Sequence, residues 1–182
     1  MDNRTSETAH APDFCIRVAE PADVPALMRL KYLLAEAEDS LHAVRANAAD
    51  WLRDGFGPHA GFTAYVAEVG GATVGMATCS RRTITGWNGP ILFLQDLFVE
   101  PAYRRRGIGA ALMARVAALA HQVGSPVVEL IVRADNNAAQ TVYRNAGFQH
   151  LPQCLTYALA GAALEALARN DRTNNDALAL TG

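Results

Sequence analysis

At 182 residues, 51% hydrophobic and 19% charged, the chain has the length for one core-bearing domain with tails and the balance of a soluble globular protein. Its formal net charge of −2 gives no basis for nucleic acid or an anionic membrane as a bulk partner. The odd, widely spaced cysteines Cys15, Cys79 and Cys154 and five unclustered histidines exclude a recognisable metal-ligand pattern.

No signal-peptide pattern or long apolar span stands out, so the expectation is a protein of the reduced cytoplasm. Lys31 is the only lysine, and nearly all positive charge is arginine. Residues 1–13 are polar and patternless and read as a disordered tail. Residues 14–18 (FCIRV) predict a short strand. Residues 20–23 predict a turn, with Asp23 as N-cap of a helix through Val24, Leu27, Leu30, Leu33 and Leu34. A second helix is expected near residues 47–53, before a break at residues 55–58 (GFGP). Residues 63–69 and 73–85 read as two strands joined by a Gly70-Gly71 hairpin turn, followed by a loop over residues 86–90.

Residues 91–99 are β-rich and almost wholly apolar, as suits a strand buried on both faces. Pro101 then bars the ladder from continuing. From Gly107 a helix is expected, with Leu112, Val116 and Leu119 at helical spacing and His121 in its last turn. Residues 127–132 (VVELIV) predict the next strand, residues 135–137 a turn, and residues 138–145 a short helix stopped by Gly147. Residues 148–150 and 155–159 are expected as terminal strands, which could pair across a homodimer. Leu164 and Leu167 suit one more helical turn, and residues 170–182 look loose. The order predicts an α/β sheet with antiparallel and parallel parts, as a domain over residues 14–160 and a C-terminal extension over residues 161–182, partly helical or disordered.

The joint between the apolar strand and the helix reads Arg104-Arg105-Arg106-Gly107-Ile108-Gly109. At a helix start the first N–H groups lack intrahelical acceptors and the macrodipole is positive, so an anion is favoured there. Gly107 and Gly109 let a phosphate approach the backbone, and the arginines bring donors matched to phosphate oxygens. No Gly-Lys-Ser/Thr ending or G-x-G-x-x-G is present, which excludes a P-loop and a dinucleotide fingerprint. A solvated basic turn remains the alternative reading of these six residues. The string R-x-x-G-x-G, running on into Ala110, resembles the coenzyme A pyrophosphate loop of the GNAT superfamily of N-acyltransferases. Residues 136–148 (NNAAQTVYRNAGF) resemble the second signature of that superfamily.

The resemblance, covering roughly residues 16–159, implies a mixed sheet with a V-shaped split between its fourth and fifth strands, here residues 91–99 and 127–132. It implies acetyl-CoA in that split and direct acetyl transfer to an amine without a covalent enzyme intermediate; the residues themselves suggest no metal. Under it, the backbone of Leu97, Phe98 and Val99 pairs with the pantetheine arm, and the Val99 N–H polarises the thioester carbonyl. Asn136 hydrogen-bonds the cofactor or holds the splayed fifth strand, and an Asx-turn helix cap is a further reading compatible with either. Tyr143 protonates the leaving sulfur or packs on its helix.

A narrower resemblance, to diamine (spermidine/spermine-type) acetyltransferases, rests on Asp54-Gly55-Phe56-Gly57, Val66-Ala67-Glu68-Val69, Trp87 and Asp96-Leu97-Phe98-Val99. The chain departs from that subgroup where Gln95 replaces an acid, and where Thr85 and Gly86 stand before Trp87 without one. Asp96 and Glu100 are the candidate bases, or a substrate contact and a turn acid respectively; Gln95, Asp96 and Trp87 are the candidate substrate contacts. Three functions follow: a small-molecule amine acetyltransferase, a protein N-acetyltransferase acting on lysine or N-termini, and a non-catalytic acyl-CoA-binding regulator.

Overall fold

The computed structural model describes residues 13–86 and 89–169. Two units divide the chain, Met1–Gln140 and Thr141–Gly182. The first is built from β1 (Cys15–Val18), α1 (Val24–Ala37), α2 (Ala48–Phe56), β2 (Thr63–Val69), β3 (Ala72–Thr83), β4 (Pro90–Val99), α3 (Ile108–Gln122) and β5 (Val128–Leu130). The strands lie in the order β1-β2-β3-β4-β5, antiparallel except for the parallel pair β4–β5.

Alternation along the strands sorts the side chains into two faces. Ala64, Val66, Met76 and Phe98 form one core with Val24, Leu27 and Leu30 of α1 and with Trp51 of α2. Leu112 and Val116 of α3 are buried, as their spacing predicts. Gly109 of that helix lies by Val99, on the other face of β4.

Two local expectations are corrected. The second helix does not stop at Gly55 but runs through it to Phe56. The glycine is there for close packing: a Cβ at position 55 would lie 2.6 Å from the Phe62 ring, which itself stands edge-on to Trp51 with centroids 5.3 Å apart. Asp23 does not cap α1 through its side chain. Its carboxylate accepts two hydrogen bonds from Arg17, at 2.6 and 2.7 Å, and one from the Glu20 N–H. Arg17 also reaches Glu68, so one guanidinium ties β1 and β2 to the start of α1.

The element that shapes the site is β4. Its pairing with β5 covers only Leu92–Val128, Phe93–Glu129 and Leu94–Leu130. Ser125 seats the start of β5, accepting from the Leu92 N–H and donating to the Val127 carbonyl. One residue further along, the β3–β4 register jumps from Cys79–Leu94 to Thr78–Asp96 and leaves Gln95 as a bulge. A bulge bends its strand and increases the local twist. β4 then runs on to Val99 while β5 ends at Leu130, which splits the sheet between its fourth and fifth strands. The strand expected over residues 127–132 is therefore shortened, because its ladder partner diverges.

The second unit contains the C-terminal residues of α4 (Asn137–Asn145) and all of α5 (Gly161–Arg169). The strands expected at residues 148–150 and 155–159 do not form. Leu155, Tyr157 and Leu159 alternate as a strand would, yet they are exposed and join no ladder among the described residues. An alternating pattern becomes a strand only when a neighbour takes its backbone groups. Apart from Asp13, the expected N-terminal tail lies outside the described residues, as do the loose end over residues 170–182 and Trp87.

Candidate active site

Beyond the bulge, Asp96 points to the same sheet face as Thr78 and Phe98, under α1. Its side chain is 11% exposed and both oxygens are engaged. Lys31 of α1 donates to Oδ1 at 2.5 Å, and the Thr78 hydroxyl donates to Oδ2 at 2.6 Å. Gln95, bulged out of register, is exposed. At the far end of β4, Glu100 accepts from Arg29 at 2.7 Å, and the same guanidinium donates to the Thr73 carbonyl. That pair clamps α1 to the end of the strand.

From Leu97 to Val99 β4 has no β5 residue opposite it, so this backbone edge faces the split. The carbonyl of Val99 takes a 2.8 Å bond from Arg104 Nε, and the Arg104 guanidinium sits 5.6 Å from the Phe98 ring centroid. Residues 101–103 form a single 3-10 turn, Arg105 adopts φ +61° and Gly107 φ +83°, and α3 starts at Ile108. Left-handed backbone at an arginine costs on the order of 1–3 kcal/mol and concentrates at functional turns. Ile108 is fully buried and anchors the helix end, whereas Arg104, Arg105, Arg106, Gly107 and Ala110 are exposed.

The fit to a pyrophosphate can be tested on this turn. A Cβ at Gly107 would meet nothing within 4 Å, and one at Gly109 only the Val99 side chain at 4.0 Å, so the space over both glycines is open. The amides of the first turn have no carbonyl four residues back, and three exposed guanidinium groups flank them. The donor set suits a diphosphate.

Asn136 caps α4, its Oδ1 accepting from the Ala139 N–H at 3.0 Å and its carbonyl from the Gln140 N–H. This is the Asx-type cap, a role compatible with the others expected of Asn136. Tyr143 is half-buried, and its ring stands edge-on to Phe148 at 5.7 Å between centroids. The backbone of residues 143–148 closes the helix around Gly147, with the Phe148 N–H donating to the Tyr143 carbonyl. Cys79, on the opposite face of β3 from Thr78, is buried, and desolvation pushes its thiol up to about 11. Such a thiol is protonated at neutral pH and offers no nucleophile.

Lys31, Thr78, Arg29 and Arg82 escaped sequence reasoning. Two of them carried a signal: Lys31 adjoins the apolar stripe of α1, and Thr78 interrupts an apolar strand.

A split mixed sheet, a bulge at the split and an arginine-glycine turn opening a helix beside it define an acyl-CoA-dependent transferase scaffold. Residues 27–148 match the acetyltransferase (GNAT) family, and the chain belongs to that family. It is 37% identical over 141 residues to the human spermidine/spermine N(1)-acetyltransferase-like protein 1, covering 74% of this chain but only 20% of that longer protein. With the mouse thialysine N-epsilon-acetyltransferase it shares 32% identity over 164 residues, 84% of this chain and 96% of the relative. Among solved structures, the aminoglycoside N-acetyltransferase AAC(6')-Iy in complex with CoA superposes with a TM-score of 0.66 at 20% identity, over 83% of this chain and 97% of that one. At that identity the likeness is one of fold.

Proposed function

We propose that this GNAT acetyltransferase moves the acetyl group of acetyl-CoA directly to a primary amine of a small molecule, one other than spermidine or spermine. The observation that carries this reading is the open edge of β4 at Leu97–Val99, with the arginine-glycine turn at one end and Asp96 at the other. Acetyl-CoA supplies the acyl group already activated as a thioester. Arg104, Arg105, Arg106 and the amides of Gly107 to Ala110 hold its pyrophosphate, and the backbone of Leu97, Phe98 and Val99 aligns its arm, with the Val99 N–H toward the thioester oxygen.

An alkylamine arrives protonated, with a reference pKa of about 10.4, and freeing its lone pair at pH 7 costs on the order of 4–5 kcal/mol. Asp96 is the acid we assign to the acceptor side, as substrate contact or proton acceptor. Gln95 can hold a water but cannot itself take the proton. Glu100, clamped by Arg29, positions the end of β4 and is the second candidate base. For the leaving sulfur we assign the proton to Tyr143, on the strength of its place in the second signature, with Asn136 capping the helix that carries it. Trp87 is retained as an acceptor-side contact. The relative named for thialysine favours small amines over peptides as the first class to test.

Acetyl-CoA turnover across polyamines, amino acids, aminoglycosides and lysine- or N-terminus-bearing peptides tests the proposal. We expect the highest kcat/KM on a small non-polyamine. A peptide above every small amine would replace it with protein acetylation, and acetyl-CoA binding without turnover would leave a regulator.

A further inference from the structure

We infer that Lys31 is a specificity-determining residue that excludes di- and polycationic acceptors: it occupies, on Asp96, the place of a second substrate ammonium. The inference rests on the reading of the site as an amine acetyltransferase and adds a charge class to it.

The geometry is that of a substrate already bound. A primary ammonium on a four-carbon stem lies 2.5 Å from one oxygen of Asp96, in the position an alkylammonium ligand would take. Thr78 holds the other oxygen at 2.6 Å. Ionised carboxylates offer about four lone-pair sites, so Asp96 keeps acceptor capacity for one incoming amine. Its net charge, however, is already balanced by Lys31.

The β3–β4 ribbon supplies no replacement, and a further acid on this face is Glu129 of β5, which pairs in register with Phe93. Position 95, next to Asp96, is Gln, and Glu100 is bound by Arg29. Further along the same face of the β3–β4 ribbon the charge is positive: the Arg82 guanidinium lies 3.3 Å above the centroid of the Phe93 ring. An acceptor running from Asp96 along this ribbon meets Lys31 at one end and Arg82 at the other. The amine that reacts must become neutral first, so it tolerates this field. A distal ammonium stays charged and meets the like charge of Lys31 and Arg82 along the ribbon.

The pair propylamine and 1,3-diaminopropane isolates that distal charge. We expect wild type and Lys31→Arg to prefer the monoamine, and Lys31→Met to shift the kcat/KM ratio at least tenfold toward the diamine, mainly through KM. An unchanged ratio in Lys31→Met overturns the inference. Because this variant leaves Asp96 without its counter-ion, its melting temperature is followed as well. Millimolar 1,3-diaminopropane should raise it in Lys31→Met and not in wild type, and a variant that the diamine does not stabilise, folded or unfolded, overturns the inference too. This second readout needs no catalysis: a wild type inactive on every amine rejects the proposed activity, while the diamine-dependent shift still decides the role of Lys31.

Discussion

At the scale of single residues, the site shows how a side chain's partner changes what its type alone suggests. Asp96 and Glu100 look alike in sequence, two acids four positions apart around the end of one strand. In the fold each has acquired its own cation from α1, Lys31 for Asp96 and Arg29 for Glu100. Tyr143 is the residue whose chemistry the resemblance alone assigns. Removing its hydroxyl while keeping the ring against Phe148 isolates that chemistry. Tyr143→Phe is expected to lower kcat by about 10²-fold or more, the usual scale for losing an acid catalyst, with acetyl-CoA affinity little changed. Single-turnover kinetics check it, and wild-type chemistry would return Tyr143 to packing.

At the scale of elements, β4 and α3 divide the work. The bulge at Gln95 ends the pairing with β5 and frees an edge, and the turn from Pro101 to Gly107 brings a helix start to the end of that edge. Gly109→Asp tests the helix start without disturbing the fold. The added Cβ meets only Val99 at 4.0 Å, aspartate suits the first turn of a helix, and glycine is the poorer helix former. The melting temperature should therefore hold or rise while acetyl-CoA affinity falls by about 10²-fold or more, some 2.8 kcal/mol, through repulsion of the pyrophosphate. Titration calorimetry showing unchanged affinity in the folded variant would move the cradle elsewhere.

At the scale of the whole molecule, stability at acid pH depends on the ion pair of Arg17 and Asp23. The Arg17 hydrogen bonds hold the Asp23 carboxyl below its usual range, against the opposing effect of burial. A carboxyl depressed in the folded state contributes stability that is present above its unfolded value, near ~3.9, and is lost as pH falls through the folded value. Arg17→Met should cost roughly 1.5–3 kcal/mol at pH 7, the scale of a lost charge-assisted hydrogen bond. The deficit should shrink below about pH 4, as wild type surrenders the same contribution. Denaturant melts at pH 7 and pH 3 check the sign, and a deficit independent of pH would place the effect in packing.

Much of this molecule was legible in the chain because short-range physics writes it there. Period-two and period-3.6 patterns mark the strands and helices, Gly70-Gly71 the hairpin, and Arg104 to Gly109 an anion-binding helix start. Those features depend on neighbours within a few positions. The rest required tertiary structure. That Gly55 continues a helix follows from a ring seven positions away, and that β5 stops at Leu130 follows from a bulge in a different strand. The alternation at residues 155–159 becomes no strand, because a ladder needs a partner that local pattern cannot supply. Lys31 and Asp96 stand 65 positions apart, and nothing local marks them as an ion pair. Only when α1 packs across β3 and β4 does the one lysine of the chain meet Asp96 beside the split, and the electrostatics of the acceptor side are decided there.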